Sequence, residues 1–241
     1  MKPSRRLVLK SLGVLAVLPW LIPPPSFAAV RMRIGVIGAG SLGGTVGRLW
    51  VEAGHEVMFS SRHPEQLASM AQALGPSASV GLPAAAAEFG TVLLLAIPFE
   101  ALPQVGRDLH SAYTGKIVLD STNPWGQNNA EVYREAQELG VAQTVAKYMP
   151  GARLVRAFSA VDASVVETSA TRFDGRIGMP IASDDAEAMA VAAQLVRDAG
   201  CDPVIVGNLA AAAAFQPGRP GFRAHLSAPQ IRRLLGLSDA G

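Results

Sequence analysis

The chain reads as an α/β protein, a single domain built on a doubly wound, mainly parallel sheet. Three observations carry that reading. Short apolar runs alternate with amphipathic segments of helical period along most of the chain after residue 30. The first run leads directly into Gly38-Ala39-Gly40-Ser41-Leu42-Gly43, a G-x-G-x-x-G turn between a strand and a helix. Thr91 to Ala96 is almost wholly apolar, as a parallel strand covered on both faces requires. Together they make the sheet Rossmann-like.

The elements follow in order. Arg33 to Gly38 is a strand, Leu42 to Ala53 an amphipathic helix stopped by Gly54, and Glu56 to Ser60 the second strand. Pro64 to Leu74 is helical, with proline in its first turn and Gly75 past its end. Ala78 to Gly81 is a weak third strand. After the strand Thr91 to Ala96 come a helix over Phe99 to Leu109 and a strand over Lys116 to Asp120. Glu131 to Leu139 and Ala142 to Met149 are helical, and Arg153 to Ala157 is a strand. Arg176 to Ala182 and Val204 to Val206 are strands flanking a helix from Asp184 to Ala199, which Gly200 ends. The alanine clusters at 84–87 and 210–214 are helix filler. A proline- and glycine-rich loop after Ala214 leads to a closing helix over Ser227 to Leu235, capped by Ser227.

Composition limits the function classes. The 241 residues are 49% hydrophobic and 17% charged, the profile of a globular chain with a sizeable core. The formal charge of +2 includes Lys2, Arg5, Arg6 and Lys10, which lie in a leader without acids. Losing those four cations brings the formal charge to about −2, so no basic footprint for nucleic acid is left. The leader itself has a charged head, an apolar run from Leu12 to Ile22 and small residues near Ala28. That is the build of a signal peptide, too short in its apolar part to span a bilayer. Ser4-Arg5-Arg6 followed by Leu9-Lys10 resembles the twin-arginine export signal, which implies the export machinery as a partner and a periplasmic destination. The expected division is thus a twin-arginine signal over 1–28 and a nucleotide-binding domain with a short C-terminal helical tail over 29–241. Cys201, the single cysteine, has no partner for an internal disulfide and reads as a small buried residue.

The glycine turn holds the most specific chemistry. Gly38 permits the turn, Gly40 has no side chain to block a pyrophosphate, and Gly43 lets the helix approach the strand. A site for NAD would place an acid at the end of the second strand, where it binds ribose hydroxyls. Here the strand runs Ser60-Ser61-Arg62-His63 with no acid. A carboxylate there would repel a 2′-phosphate, whereas a hydroxyl and a guanidinium donate to it. Arg62 is therefore read as the phosphate clamp, Ser61 as co-donor, and NADP(H) as the nucleotide. His63 is either a further contact or an exposed loop residue. Ala96-Ile97-Pro98 ends the central strand at the same edge, where its backbone would pass the ribose or nicotinamide. Asp120-Ser121-Thr122-Asn123-Pro124-Trp125 ends the next strand, and it either turns polar groups such as Asn123 into the crevice or is a structural turn. His55, His110 and His225 are scattered and read as surface or helix-end residues.

The segments at 37–57, 59–65, 95–98, 119–125, 150–161 and 175–207 resemble those of the small NADPH-dependent oxidoreductases that serve the 8-hydroxy-5-deazaflavin coenzyme, factor 420. They are also similar to the NADPH-binding domain of the six-transmembrane metalloreductases. The resemblance implies that Gly38, Gly40, Ser41, Leu42, Ser61, Arg62 and Pro98 hold NADP(H), and that Phe158, Ser159 and Met179 lie on the acceptor side. Ser159 stands where members often carry Asn, and those deazaflavin enzymes are cytoplasmic. Neither departure touches the nucleotide half.

The expected activity is hydride transfer between NADP(H) and a small-molecule acceptor, a deazaflavin or flavin. Orientation matters more than acid–base chemistry in such a reaction. No lysine, histidine or carboxylate constellation supplies a proton, and no metal ligand set is evident, which counts against reduction of a carbonyl or imine. The other classes weighed are a non-catalytic NADP(H)-binding protein and the NADPH module of a metalloreductase-type system. An enzyme of the β-hydroxyacid dehydrogenase or pyrroline-carboxylate reductase type would carry a large helical domain after the sheet, where about twenty residues stand. The oligomeric state is open, a homodimer being the candidate.

Overall fold

The computed structural model describes residues 31–125 and 131–238, so the leader and its two arginines lie outside the described residues. The elements alternate along the chain: β1 (Arg33–Ile37), α1 (Ser41–Glu52), β2 (Glu56–Ser60), α2 (Ala68–Leu74), β3 (Ala78–Gly81), α3 (Pro83–Phe89) and β4 (Val92–Leu95). Then come α4 (Leu102–Asp108), α5 (His110–Tyr113), β5 (Ile117–Asp120), α6 (Glu131–Leu139), α7 (Val141–Tyr148) and β6 (Arg153–Arg156). The chain continues through α8 (Ala163–Ala170), β7 (Gly178–Ala182), α9 (Ala186–Asp198), β8 (Asp202–Gly207) and α10 (Ala228–Leu234).

The eight strands of the described residues form one sheet in the order β3-β2-β1-β4-β5-β6-β7-β8. The first six are parallel and in the Rossmann order, with the order reversing between β1 and β4. β7 runs antiparallel to β6, and β8 is parallel to β7, so the last pair is inverted relative to the rest. Alternation along the strands divides the core in two. Val92 and Leu94 of β4 face one cluster with Trp50 of α1, Val166 of α8 and Leu195 of α9. Leu93 and Leu95 face the other, with Ala86 of α3, Leu102 of α4 and Val145 of α7. Helices on both faces explain why β4 and β5 are buried at every position.

Several expectations change in detail. The helix foreseen over Pro64 to Leu74 begins as a 3-10 turn, Pro64–Leu67, before α2. The one over Phe99 to Leu109 divides into a 3-10 turn, α4 and α5; Pro103 near the start of α4 has no amide to continue an earlier helix. The alanines at 210–214 lie in a 3-10 helix, Leu209–Phe215, entered where the Asn208 side chain accepts from Ala211 N at 3.1 Å. α8 has no counterpart in the sequence reading, since its four alanines and serines leave little amphipathic signal. Cys201 is buried, and desolvation pushes its thiol up to about 11.

His55 is a correction of another kind. It is buried, not a surface residue: Nδ1 accepts from Met32 N at 3.2 Å, which leaves the hydrogen on Nε2 facing Asp198 Oδ2 at 3.0 Å. The residue ties the α1–β2 turn to the end of α9. A sequence separation of 143 residues hides such a pairing from any local pattern.

Candidate functional site

The carboxyl ends of β1, β2, β4 and β5 meet at the reversal of strand order, the place where open α/β sheets bind ligands. The glycine turn sits there, pinned to β2 by Ala39 N donating to Ser60 O at 2.9 Å. Its three glycines answer to different constraints. Gly38 has φ +97°, and a Cβ on it would run into the carbonyl of Ala96. A Cβ on Gly43 would strike the carbonyl of Gly38. A Cβ on Gly40 would meet nothing within 4 Å. So Gly38 and Gly43 are required by the protein's own packing, whereas the space before Gly40 is open.

That space lies at the start of α1. The amides of Ser41, Leu42 and Gly43 have no partner inside the helix, as at any helix start. Gly40 brings no side chain to cap them, and the first helical bond is Gly44 N to Gly40 O at 2.8 Å. Gly40 and Ser41 are exposed and Leu42 is half-buried. Unfilled donors and the positive end of a twelve-residue helix suit an anion.

At the end of β2, Ser60 is buried and donates to Val36 O at 2.7 Å. Ser61 follows, half-buried, its Oγ accepting from His63 N at 3.1 Å. Arg62 is exposed and faces no acid among the described residues. His63 is exposed as well and stands 3.5 Å from Glu65, a loop position with a weak acidic neighbour. On the other side of the reversal, Ala96 N donates to Ile37 O at 2.9 Å. Ala96 and Ile97 are half-buried, and Pro98 is exposed at the lip.

The Asp120–Trp125 turn is built around a buried ion pair that the sequence did not reveal. Arg156 of β6 and Asp120 of β5 are opposed in register and both wholly buried, and Arg156 Nη1 donates to Asp120 Oδ2. The other carboxylate oxygen accepts from Thr122 N at 2.9 Å and Thr122 Oγ1 at 2.7 Å. Arg156 Nη2 donates to Asn123 Oδ1 at 2.7 Å, and this sets the amide so that Nδ2 donates to Ser159 O at 2.7 Å. Asn123 is thus a structural residue of this turn, buried, with both polar atoms of its side chain bonded within the protein. Within this network Arg156 Nε and Ser159 Oγ lack a partner among the described residues. The signal for Arg156 was present only as a charged residue in an apolar strand.

The structure brings Asn123 and Ser159 together, and buries Phe158 and Met179. Phe158 is wholly buried at φ +57°, edge-on to Trp50 with ring centroids 5.7 Å apart. Met179 is buried in β7 within the same core cluster. Neither is open to a molecule in the crevice. Among the described residues no group of three or more His, Cys, Asp or Glu could hold a metal ion, and no helix is long and apolar enough to cross a membrane.

Residues 33–124 match the protein family described as "NADP oxidoreductase coenzyme F420-dependent". The fold is of the Rossmann type, and the family match covers its β1 to β5 part, which includes the glycine turn. The chain is similar to the rat (Rattus norvegicus) metalloreductase STEAP3, 27% identical over 209 residues, which cover 87% of this chain and 38% of the relative. The chain thus spans well under half the length of that relative. Among solved structures it resembles hypothetical protein SMa0349 from Sinorhizobium meliloti, with a TM-score of 0.67 and 25% identity, over 84% of this chain and 95% of that one. It also shares its fold with a putative F420-dependent NADP-reductase from Arthrobacter sp. FB24, with a TM-score of 0.63 and 21% identity, over 86% and 96% of the two chains.

Proposed function

We propose that the protein binds NADP(H) across the reversal between β1 and β4 and exchanges a hydride with a flavin-like or deazaflavin acceptor. One observation carries the nucleotide half: the open approach to the uncapped start of α1 at Gly40, beside an exposed arginine with no acidic partner. The pyrophosphate would lie against the amides of Ser41 and Leu42, the 2′-phosphate against Arg62 and Ser61, and the ribose or nicotinamide along the backbone of Ala96, Ile97 and Pro98. A second strand that ends in serines and arginine, without an acid, supports NADP over NAD.

Bound NADPH supplies a hydride, two electrons with one hydrogen nucleus, and the acceptor ring takes its remaining proton from water. The chain's own part is to orient and to shield. A second reading, in which the domain feeds electrons to a membrane partner, is favoured by the similarity to a metalloreductase of which the chain spans 38%. For the leader we propose twin-arginine export to the periplasm with the nucleotide already bound.

The test is bleaching of oxidised deazaflavin coenzyme by NADPH with the full chain. Rapid bleaching is expected, and Arg62→Ala should weaken NADPH about 10- to 100-fold, the worth of a lost charge-assisted hydrogen bond of about 1.5–3 kcal/mol. NADH binding should be unchanged. Equal loss for NADH and NADPH would refute the 2′-phosphate clamp. Tight NADPH binding without turnover on deazaflavin or flavin would favour the electron-transfer module.

A further inference from the structure

Beyond the nucleotide crevice, the carboxyl ends of β5 and β6 carry a cluster that the nucleotide leaves unused. Trp125 is the last described residue of the β5 turn. Its N donates to Asn123 O at 2.9 Å, and its carbonyl oxygen lies 3.2 Å from Tyr133 Oη, whose hydrogen is shared with Glu100 Oε2 at 2.9 Å. Yet its ring is 55% exposed, unusual for the largest apolar side chain at a well-held position. The ring leans on Phe222 with centroids 5.4 Å apart, and the Arg223 guanidinium lies 5.9 Å from its centre.

Phe222 and Arg223 come from a distant loop that is held there under strain. Arg223 and His225 both have left-handed backbone, at φ +51° and +52°, which costs a residue with a Cβ about 1 kcal/mol or more. Arg223 N donates to Ala160 O and Arg223 Nε to Asp162 Oδ2, each at 2.9 Å, which ties the loop to the β6–α8 connection. The fastening brings an aromatic ring and a cation to an exposed tryptophan at the crevice's β5–β6 end. Strain kept in place by several contacts clusters where a site needs a fixed shape.

We propose that Trp125, Phe222 and Arg223 form the docking face for the electron acceptor, and that the acceptor is a planar aromatic ring system able to take a hydride. This rests on the hydride-transfer reading above. Phe158 and Met179 are closed off in the core, so the ring is held from the outer side of the crevice. Stacking on aromatic side chains recognises a flat π-surface; the Arg223 guanidinium, paired through Nε and Nη2 with the Asp162 carboxylate, packs beside the indole ring. Such a face needs no general acid: the ring gains two electrons and one hydrogen nucleus from NADPH and a proton from solvent.

The experiment uses FMN as probe and the full chain saturated with NADP+. Flavin fluorescence should be quenched saturably. Trp125→Ala and Phe222→Ala should each weaken FMN about tenfold, consistent with loss of one stacking partner, while Trp125→Phe stays within about threefold. NADP+ affinity, measured on the same samples, should be unchanged in all three. FMN binding by both alanine variants at the wild-type level, or no saturable quenching in the NADP+ complex, overturns the docking face and leaves the nucleotide reading standing. Failure of the wild-type chain to bind NADP+ overturns the hydride-transfer reading and the docking face with it.

Discussion

Gly40 and Gly43 stand three residues apart in one motif, and a methyl group on each would meet opposite surroundings. On Gly43 it collides with the Gly38 carbonyl, while on Gly40 it points into open space. Gly43→Ala should therefore destabilise the protein by about 1–3 kcal/mol, the usual range for overpacking. In a chain of this size that lowers the unfolding midpoint by several degrees, about 2–4 °C per kcal/mol. Gly40→Ala should leave the midpoint unchanged and weaken NADPH, because the added carbon occupies the approach to the α1 amides. Thermal unfolding and NADPH titration of the two variants separate the roles. A lowered midpoint for Gly40→Ala with unchanged NADPH affinity would contradict the assignment. The position of each glycine in the motif already assigns it a role, and the surroundings of Gly40 and Gly43 make the two roles separable by measurement.

Where β5 meets β6, Arg156 and Asp120 are wholly buried and face each other in register. A buried pair contributes little net stability, but removing one member strands the other charge at a cost of about 3–5 kcal/mol. Arg156→Met should show that loss in chemical denaturation. Adding Asp120→Asn should recover much of it, since asparagine still accepts from Thr122 without a charge. If the double variant is no more stable than the single one, the penalty does not come from the stranded carboxylate. A second pair anchors β6 to α9. Asp185 caps α9, accepting from Ala188 N at 2.9 Å, and takes a two-pronged bond from Arg153 at 2.6 and 3.0 Å. The Arg153 hydrogen bonds first, and the Ala188 amide second, hold its carboxyl well below the usual carboxylate range. A depressed folded pKa contributes stability above the unfolded value of about 4, which is lost as pH falls toward the folded one. Asp185→Asn should thus melt below wild type at pH 7, and the two curves should converge as pH drops below about 4. A constant gap from pH 7 to pH 2 would count against the linkage.

The inverted pair β7–β8 extends the six-stranded sheet, and α9 and α10 pack against it. The loop after residue 215 returns across the β6–α8 connection and reaches Trp125. Nucleotide approach and aromatic face thus share the carboxyl edge of the sheet, with the Asp120–Asn123 turn between them. The proposed export rests on residues 1–28 acting as a leader. Replacing Arg5 and Arg6 together by lysine should retain the protein in the cytoplasm if the twin-arginine route carries it, which fractionation and immunoblotting would read. Continued appearance of the double-lysine chain in the periplasm would favour an ordinary secretory signal instead.

The nucleotide half was open to reading from the sequence because its signals are local. Glycine spacing, the missing acid after β2 and the apolar run of β4 each lie within a dozen residues, and backbone geometry translates them directly into a turn, a charge preference and a buried strand. The strand–helix alternation gave the class of sheet for the same reason. Tertiary structure alone decided what depends on distant partners. The direction of β7 is set by the crossover before it; the burial of His55 depends on Asp198, and the charge pair inside β5 and β6 on strand register. The proposed acceptor face belongs with these. Phe158 and Met179, which the family resemblance puts on the acceptor side, are buried, the one edge-on to Trp50 and the other in the β7 core. Trp125, Phe222 and Arg223, separated by almost a hundred residues, meet only because a strained loop is fastened to Ala160 and Asp162.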